Sequence, residues 1–237
     1  MKLAGISIII PVYNEAAILG VNVRRLLSYM GRTRRPFELI ISDNGSTDRT
    51  VKIARRLAAE HPKRVRLVTL AKRGVGYAFK TAAKAARYEK LISIDADLTV
   101  DYRSFIPECA RLLETNSIVV GSKTVGSQRR PFTRKLLSAG FIALTRLMLG
   151  IRLTDHSIGA KGYRRKDILP FLSGIDSGSF YVTMLVYRIS KAGKRYVEIP
   201  VVCDDRRKSK FSISRETAYR FKSLVSFWLR ETLEYAA

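Results

Sequence analysis

Short apolar runs rich in β-branched residues alternate along this chain with segments of helical periodicity. The sequence predicts strands at ISIIIPV, FELIISD, VRLVTL, LISIDAD and SIVVGS, because such runs favour extended, buried backbone. Within STDRTVKIARRLAAEHP, Val51, Ala54 and Leu57 share one helical face, which indicates a crossover helix. Strands separated by helices are typical of a parallel sheet covered on both faces. We therefore predict an α/β fold built on a mostly parallel, doubly wound sheet.

Length and charge limit the architecture and the partners. The chain has 237 residues, of which 46% are hydrophobic, so it can bury the core of one domain, which we expect, or of two smaller ones. Lys and Arg total 44 against 20 Asp and Glu, a formal net charge of +24. A charge of this size predicts an anionic partner. It does not distinguish nucleic acid from anionic lipid or a phosphorylated substrate.

The cysteines and the apolar segments bear on the cellular compartment. Cys109 and Cys203 lack the spacing of a disulfide framework or a zinc site, which favours a reducing, cytoplasmic setting. The opening apolar run breaks at Pro11 and is interpreted as a strand rather than a secretory signal. Arg146 interrupts LLSAGFIALTRLMLGI, which leaves this segment short of the roughly 18 apolar residues of a membrane span. We expect a chain that is soluble or lies on a membrane surface.

An acidic pair closes the fourth predicted strand. Asp95 and Asp97 point to one side of the extended segment LISIDADLTV, because strand side chains alternate with a period of two. Two carboxylates that are close together repel each other, and a divalent cation neutralises them. Hard oxygen ligands favour Mg²⁺ or Mn²⁺ over zinc. The alternative is a solvated loop that caps the next helix.

Two further strand ends carry acidic residues, at the edge where open parallel sheets bind ligands. PVYNE follows the first strand and SDNGSTD the second. In the second, Asp43, Asn44 and Gly45 are expected to form a turn, and either Ser46 or Thr47 is expected to cap the helix. Contact between Asp43 and a nucleotide base or ribose is the alternative.

A glycine loop, AKRGVGYAFK, lies between the third strand and the helix that follows it. Phe79 occupies the third glycine position of a dinucleotide fingerprint, so the sequence argues against a Rossmann site for NAD. Gly74 and Gly76 would still let the backbone approach a nucleotide closely.

The C-terminal segment predicts an amphipathic helix. Its apolar face consists of Phe221, Leu224, Val225, Trp228 and Leu229. Such a helix can pack on the domain or lie on lipid. The sequence leaves both alternatives open.

The motifs, taken in order, resemble a known family. PVYNE, DNGSTDRT, the glycine loop and DAD follow one another as in nucleotide-sugar glycosyltransferases of the GT-A fold. The segments VVGSK, RKLLSAG, TDHSIGAKGYRR, VEIPV and RRKSKFS are similar to those of the dolichol-phosphate mannose synthase group. The resemblance implies an inverting enzyme with one GT-A-like, Rossmann-like catalytic domain over residues 1–211, followed by the C-terminal helix over 212–237.

The resemblance implies a donor site at the three acidic strand ends. The residues that would hold a guanine or uracil nucleoside are Pro11, Tyr13, Glu15 and Asp43. The DAD residues Asp95, Ala96 and Asp97 would meet the diphosphate, and the two aspartates would bind the metal that compensates the charge of the leaving group. Thr99 stands where the family often has glutamine, so we expect a weaker third metal ligand or a water there.

The acceptor that the resemblance implies is a polyprenyl phosphate. Lys123 stands where an arginine is usual, while Arg134 and Ser138 lie four residues apart on one face of a predicted helix and can contact one phosphate together. Arg206 or Arg207 would complete this phosphate clamp. The expected catalytic residues are Asp95, Asp97, Lys123, Arg134, Ser138 and Arg206.

Acid–base chemistry separates a phosphate acceptor from an alcohol. A phosphate monoester, with a second pKa of about 6, is ionised at neutral pH and needs no general base. Family members often carry carboxylates where this chain has Val182 and Met184, which weakens an alcohol acceptor. Asp155 and Asp176 are the remaining candidate bases. Further departures, which bear on acceptor and sugar identity, are Ile158, Ala160 and Lys161.

We therefore expect transfer of a hexose, with mannose from GDP-mannose favoured, to a membrane-embedded polyprenyl phosphate in the presence of Mg²⁺ or Mn²⁺. The helix from Thr133 to Leu149 and the C-terminal helix would rest on the cytoplasmic leaflet. UDP-glucose as donor and a hydroxyl acceptor are the enzyme alternatives. A basic nucleic-acid-binding protein is the alternative from another class, and the lack of a recognisable binding motif argues against it. We predict no nucleic-acid partner.

Overall fold

The computed structural model describes residues 4–71, 73–123, 132–203 and 213–236. Within these ranges one sheet contains β1 (Ile6–Val12), β2 (Phe37–Asp43), β3 (Val65–Thr69), β4 (Lys90–Ser93), β5 (Ile118–Ser122), β6 (Lys161–Arg164) and β7 (Tyr196–Pro200). The helices are α1 (Ala16–Arg32), α2 (Thr50–Glu60), α3 (Val75–Ala85), α4 (Tyr102–Leu112), α5 (Phe132–Leu149), α6 (Arg165–Ile168), α7 (Tyr181–Lys191) and α8 (Ile213–Ala236). A 3-10 helix, Leu169–Gly174, follows α6.

The strands lie in the order β3-β2-β1-β4-β6-β5-β7. β6 is antiparallel to both of its neighbours, β4 and β5, and the other pairs are parallel. The five predicted strands correspond to β1 through β5. The prediction that the fourth strand stays extended through Asp95 and Asp97 is wrong, because β4 ends at Ser93 and the chain turns there. The predicted fold, a single α/β domain with a mostly parallel sheet flanked by helices, is confirmed.

The centre of the sheet is buried because its strands are apolar along their length. Ile8 and Ile9 of β1, like Leu39 and Ile40 of β2, have no exposed surface. Since adjacent strand residues face opposite sides of a sheet, burial of consecutive side chains requires cover on both faces. These runs therefore lack the polar alternation of a sheet with one solvated face.

The strand order reverses at β1. The chain runs from β1 to β2 and β3 on one side and then returns to β4 on the other. Where connections leave in opposite directions, a crevice opens beyond the carboxyl ends of the strands, and ligands of open α/β sheets bind there. PVYNE begins in the last two residues of β1, and DAD follows β4. Both motifs therefore border this crevice.

α8 packs on the domain through one face. Phe227 is buried, and its ring lies 5.9 Å from the ring of Phe180 and 5.3 Å from that of Tyr187, measured between centroids. The ring of Phe221 meets Phe141 of α5 at 5.6 Å. The C-terminal helix is thus attached both to the core and to α5.

α5 and α8 also expose large apolar side chains. The exposed residues are Leu136, Leu137, Leu144 and Leu147 on α5, and Val225, Leu229 and Leu233 on α8. Leu147 reaches 82% exposure. Across the described ranges, no helix combines the length and the hydropathy that crossing a membrane requires. The face of α8 that packs on the domain therefore differs from the face that exposes these apolar side chains.

Replacing Phe227 by alanine should lower the free energy of unfolding by about 3 to 5 kcal/mol, because the loss of a buried aromatic ring leaves a cavity. Urea unfolding followed by circular dichroism measures the change. The control is Leu233→Ala on the same helix, where the side chain is 68% exposed, and its effect should stay below about 0.5 kcal/mol. Equal effects of the two substitutions would contradict the packing of α8 on the domain.

Candidate active site

The acidic pair lies in a tight turn after β4. Leu98 has a positive φ of 53°, and its N–H donates to the Asp95 carbonyl at 3.1 Å. The Thr99 N–H donates to Asp97 Oδ1 at 3.2 Å. The next helix, α4, is capped instead by the side chain of Asp101. Helix capping therefore does not account for the acidic pair.

Asp95 is open to solvent although protein surrounds it on many sides. It is an exposed residue, yet its pKa is raised, first by the desolvation that the surrounding protein causes and then by the charge of Asp97. Lys161, Lys123 and the Gly159 N–H act to lower this pKa but do not offset the rise. An accessible carboxylate in such surroundings is suited to a cation that enters from solvent.

Gly159 makes room for the Asp95 carboxylate. A Cβ atom on residue 159 would lie 2.1 Å from Asp95 Oδ1 and 2.2 Å from Oδ2, well inside van der Waals contact. The Gly159 N–H also donates to the Asp95 side chain. Sequence reasoning missed this residue, for which the glycine in DHSIGAKGY was the available signal.

Lys161 brings a positive charge to the acidic pair. It begins β6, is opposite Ser93 at the end of β4, and is buried. Burial lowers the pKa of Lys161 to about 8, against the opposing influence of Asp155 and Asp95. A buried cation near these carboxylates offsets part of their repulsion. The sequence marked Lys161 only as a departure from the family pattern.

Asp155 fixes the conformation of the loop between α5 and β6 through hydrogen bonds to its side chain. Its Oδ1 accepts hydrogen bonds from Ser157 N–H, Ser157 Oγ and Ile158 N–H at 2.8, 2.7 and 3.2 Å, and its Oδ2 accepts from Lys123 N–H at 3.3 Å. Burial alone would raise the pKa of Asp155, but the Ser157 hydrogen bonds and nearby lysines outweigh it, and the net shift is downward. A carboxylate that favours its charged form in this way is a weak general base.

Asn14 joins the loop after β1 to the loop after β2. Its φ is 54°, a left-handed conformation that asparagine tolerates. Its N–H donates to Ser46 Oγ at 2.9 Å, and its Oδ1 accepts from the Thr47 N–H at 2.8 Å. The prediction that Ser46 or Thr47 caps α2 is wrong, because both bond to Asn14 and the helix begins at Thr50 without a side-chain cap.

Asp43 forms the turn that the sequence predicts. The residue is buried, and its Oδ2 accepts from the N–H groups of Gly45 and Ser46, each at 3.2 Å. Gly45 has a φ of 76°, which glycine adopts without steric cost. The turn is confirmed, and contact of Asp43 with a nucleoside stays a prediction.

The glycine loop packs against the segment before α7. A Cβ on Gly76 would lie 2.1 Å from the Asp176 carbonyl oxygen, and the Gly76 N–H donates to the Ser177 carbonyl at 2.9 Å. The Gly74 N–H donates to the Asn44 side chain at the end of β2. The close approach that these glycines permit is thus made to protein backbone.

The predicted donor residues gather at one edge of the sheet. The residues at the carboxyl ends of β1, β2 and β4 are Pro11, Tyr13, Glu15, Asp43, Asp95, Ala96, Asp97 and Thr99. The Arg73 guanidinium lies 4.0 Å from the centroid of the Tyr13 ring. The Ala96 carbonyl accepts from Asn22 Nδ2 of α1 at 2.9 Å, which anchors the acidic turn to that helix.

The predicted acceptor residues are only partly within the described ranges. Lys123 directly follows β5, and Ser138 is a half-buried residue of α5. Arg134 belongs to α5, but its side chain lies outside the described part of the structure, as do Arg206 and Arg207 altogether. The phosphate clamp stays a prediction.

The acidic pair fits a divalent metal of the magnesium type. In the part of the chain that the structure describes, no group of three His, Cys, Asp or Glu side chains could hold a metal alone. Mg²⁺ in proteins is typically bound by one or two carboxylates together with substrate phosphates and water. Asp95 and Asp97 supply two such carboxylates. Desolvation and then the charge of Asp97 raise the pKa of Asp95, and a bound cation would offset both effects.

The fold and the crevice are those of an α/β protein that binds its ligand at the carboxyl edge of the sheet. Residues 7–169 match the model of glycosyl transferase family 2. The chain belongs to this family, and the predicted likeness to GT-A glycosyltransferases is confirmed.

Curated relatives differ in how much of their length the chain covers. The glycosyltransferase AglD of Haloferax volcanii is 29% identical over 96% of this chain, which spans 38% of that protein. The undecaprenyl-phosphate mannosyltransferase of Micrococcus luteus is 29% identical over 84% of this chain and 83% of the relative. The polyprenol monophosphomannose synthase of Mycolicibacterium smegmatis is 30% identical over 84% of this chain and 77% of the relative.

A solved structure with the same fold is glucosyl-3-phosphoglycerate synthase from Mycobacterium tuberculosis. Its complex with UDP superposes with a TM-score of 0.66 at 21% identity, over 95% of this chain and 80% of that one. Its complex with Mn²⁺, UDP and glucosyl-3-phosphoglycerate superposes with a TM-score of 0.68 at 19% identity, over 94% of this chain and 79% of that one. At this identity the likeness establishes the fold.

Gly159→Ala should weaken the binding of Mn²⁺ with a nucleoside diphosphate by about tenfold or more, as substitutions behind metal ligands do, because the added methyl group displaces the Asp95 carboxylate. Isothermal titration calorimetry measures the affinity. Gly140→Ala in α5 is the control, since no atom lies within 4 Å of a Cβ there, and it should bind as the wild type does. Identical affinity for all three proteins would contradict the assignment of Gly159.

Proposed function

We propose that this chain is an inverting glycosyltransferase that moves a hexose from a nucleotide donor to a polyprenyl phosphate at a membrane surface. Mannose from GDP-mannose is the favoured donor sugar. The observation that carries the proposal is the solvent-accessible acidic turn in the crevice where the strand order reverses. Two relatives support it, since their names state mannosyl transfer with undecaprenyl phosphate and synthesis of polyprenol monophosphomannose.

The loops after β1 and β2 would hold the nucleoside through Pro11, Tyr13, Glu15 and Asp43. Hydrogen bonds from Asn14 fix these loops to each other. A pocket that is ordered before its ligand arrives loses less conformational entropy on binding. The arrangement supports a preformed donor site.

Asp95 and Asp97 would hold Mg²⁺ or Mn²⁺, with Thr99 or water as a further ligand. When bound, such a metal neutralises the charge that develops on the diphosphate leaving group. Gly159 leaves space for the Asp95 carboxylate, and Lys161 contributes a fixed positive charge beside it. These two residues would therefore orient the acidic pair.

The acceptor phosphate would attack the anomeric carbon from the side opposite the diphosphate, so that the new C–O bond forms as the bond to the diphosphate breaks. Lys123, Arg134, Ser138 and Arg206 would hold that phosphate in line. The phosphate needs no general base because it is already ionised.

The described residues are consistent with a reaction that needs no base. Val182 and Met184, at the positions where the family often has carboxylates, are buried apolar residues. Asp155 is engaged by four hydrogen bonds. Both observations favour the phosphate acceptor over a hydroxyl.

The lipid part of the acceptor would place the protein on a membrane. α5 and α8 expose leucine and valine side chains, as helices in the lipid interface do. The net charge of +24 favours the anionic cytoplasmic leaflet. We therefore place the protein at the cytoplasmic face, bound peripherally through these helices.

The alternative donor is UDP-glucose, which the mycobacterial structural relative binds together with Mn²⁺. A hydroxyl acceptor would require a base, and Asp176 is the candidate because desolvation raises the pKa of its carboxyl. A nucleic-acid-binding role is not proposed, since the chain belongs to a glycosyltransferase family.

Purified protein with Mn²⁺, labelled GDP-mannose and a short-chain polyprenyl phosphate should form a labelled lipid product. Asp97→Asn should reduce this transfer by about 100-fold or more, because one metal ligand loses its charge, and EDTA should abolish it until Mn²⁺ is restored. Asp101→Asn is the control: it changes the same chemistry at an exposed helix cap and should retain activity.

Equal transfer by the wild type and Asp97→Asn would contradict the metal site. Transfer to soluble sugars alone would contradict the lipid acceptor. Turnover of UDP-glucose in preference to GDP-mannose would replace the donor assignment.

Leu147→Glu should weaken binding to phosphatidylcholine and phosphatidylglycerol vesicles by about tenfold, because an exposed leucine that enters lipid loses its apolar contribution. Sedimentation with vesicles measures the effect. Val21→Glu in α1, where the side chain is 56% exposed, changes the net charge equally and should have little effect. The same loss in both variants would indicate electrostatic attraction alone and contradict insertion of α5.

A further inference from the structure

Three polar side chains of α8 bind the segment that precedes α7. The Tyr219 hydroxyl donates to Asp176 Oδ2, and Ser179 Oγ donates to Glu216 Oε1. Arg220 Nε donates to Ser179 Oγ at 3.1 Å and to Glu216 Oε1 at 2.9 Å. This network fixes the direction of the Arg220 guanidinium.

Arg220 retains unused hydrogen-bonding capacity. Its side chain is only 17% exposed. Within the described ranges, both of its hydrogen bonds start from Nε, whereas a guanidinium carries five N–H donors. Among the described residues its two terminal amino groups make no hydrogen bond, so they can bind another acceptor.

The charge of Arg220 acts on the floor of the candidate active site. Burial is the first cause that lowers the pKa of both His156 and Lys161, and the nearby guanidinium of Arg220 lowers both further. Lys161 in turn senses Asp155 and Asp95. Ring contacts place the helix there as well: Phe221, the residue after Arg220, meets Phe141 at 5.6 Å, and the Phe141 ring lies 5.3 Å from that of His156.

A second contact places the same segment beside the glycine loop. The Gly76 N–H donates to the Ser177 carbonyl at 2.9 Å, and a Cβ on Gly76 would lie 2.1 Å from the Asp176 carbonyl oxygen. The segment that anchors Arg220 therefore packs on the loop that begins α3 at the carboxyl edge of the sheet.

We propose that Arg220 binds a phosphoryl group of a substrate, so that the C-terminal helix supplies part of the active site. Glu216 and Ser179 are positioning residues, because they hold Nε and turn the terminal amino groups toward the ligand. The ligand chemistry is a phosphate oxyanion, either the diphosphate of the donor or the monoester of the acceptor, and a guanidinium fork matches both. The assignment rests on the proposed glycosyltransferase function for the identity of these substrates.

The test compares Arg220→Met, which keeps an unbranched stem, with Arg220→Lys, which keeps the charge but not the fork. Arg220→Met should raise the KM for the phosphate substrate that it contacts by about tenfold or more, as loss of a charged hydrogen bond does, and Arg220→Lys should recover part of that loss. Arg230→Met is the control on the same helix, because Arg230 is exposed, and its KM values should match the wild type. Glu216→Gln should raise the same KM to a smaller extent.

Separate arms identify the source of the phosphate. A higher KM for polyprenyl phosphate alone assigns Arg220 to the acceptor. Weaker binding of GDP with Mn²⁺ in calorimetry assigns it to the donor. Unchanged KM values for both substrates, with a lower melting temperature, would show a purely structural role and overturn the proposal.

Calorimetry with inorganic pyrophosphate and Mn²⁺ makes the test independent of turnover. The wild type should bind pyrophosphate at least tenfold more tightly than Arg220→Met if the donor is the source. A wild type that transfers no sugar yet shows this difference would refute the proposed function alone. Equal pyrophosphate affinity, together with equal affinity for polyprenyl phosphate in vesicles, would refute the assignment of Arg220 whether or not transfer occurs.

Discussion

The desolvated carboxylate of Asp95, held beside Asp97 in the turn after β4, is the feature around which the site is arranged. Desolvation by the surrounding protein raises the pKa of Asp95 most, and the nearby charge of Asp97 raises it further. Around them the protein arranges compensating features: a buried lysine at the start of β6, a glycine N–H, and a cleared space where residue 159 has no Cβ. The compensation is incomplete, since the pKa of Asp95 remains raised. A site left with unbalanced negative charge and open to solvent is prepared for a cation.

The surrounding loops are held in place by side chains that form hydrogen bonds to neighbouring segments. Asn14 accepts and donates across to the loop after β2, and Asn22 holds the carbonyl between the two aspartates. The glycine loop rests on the backbone at Asp176. The segment 176–179 is therefore held by the glycine loop on one side and by α8 on the other, which links the C-terminal helix to the carboxyl edge of the sheet.

α8 has three sets of side chains with different contacts. Phe227 attaches it to the core through ring contacts, three polar residues bond to the segment before α7, and Leu229 and Leu233 face solvent. In the proposed function, a helix with these three sets of side chains would join a lipid surface to a site that acts on the head group of a lipid.

The sequence by itself determined the features that arise locally. Continuous apolar runs predicted β1 through β5, because strands covered on both faces need no polar alternation, and the order of motifs placed the acidic pair at the edge that binds ligands. Asp43 and Gly45 form the predicted turn because the turn depends only on residues that are adjacent in the sequence. The Asp43 carboxylate accepts from the N–H of Gly45, and Gly45 adopts the positive φ. The capping of α2 by Ser46 or Thr47 was wrong, since a partner distant in the sequence, Asn14, competes for both.

Only the tertiary structure decided which distant residues meet. β6 enters the sheet antiparallel between β4 and β5, and this pairing alone brings Gly159 and Lys161 to Asp95. Likewise, the direction of Arg220 depends on Ser179, a residue of another segment. Periodicity reports which face of an element is buried, whereas the partner of that face is chosen by non-local pairing and packing, which leave no regular pattern in either segment.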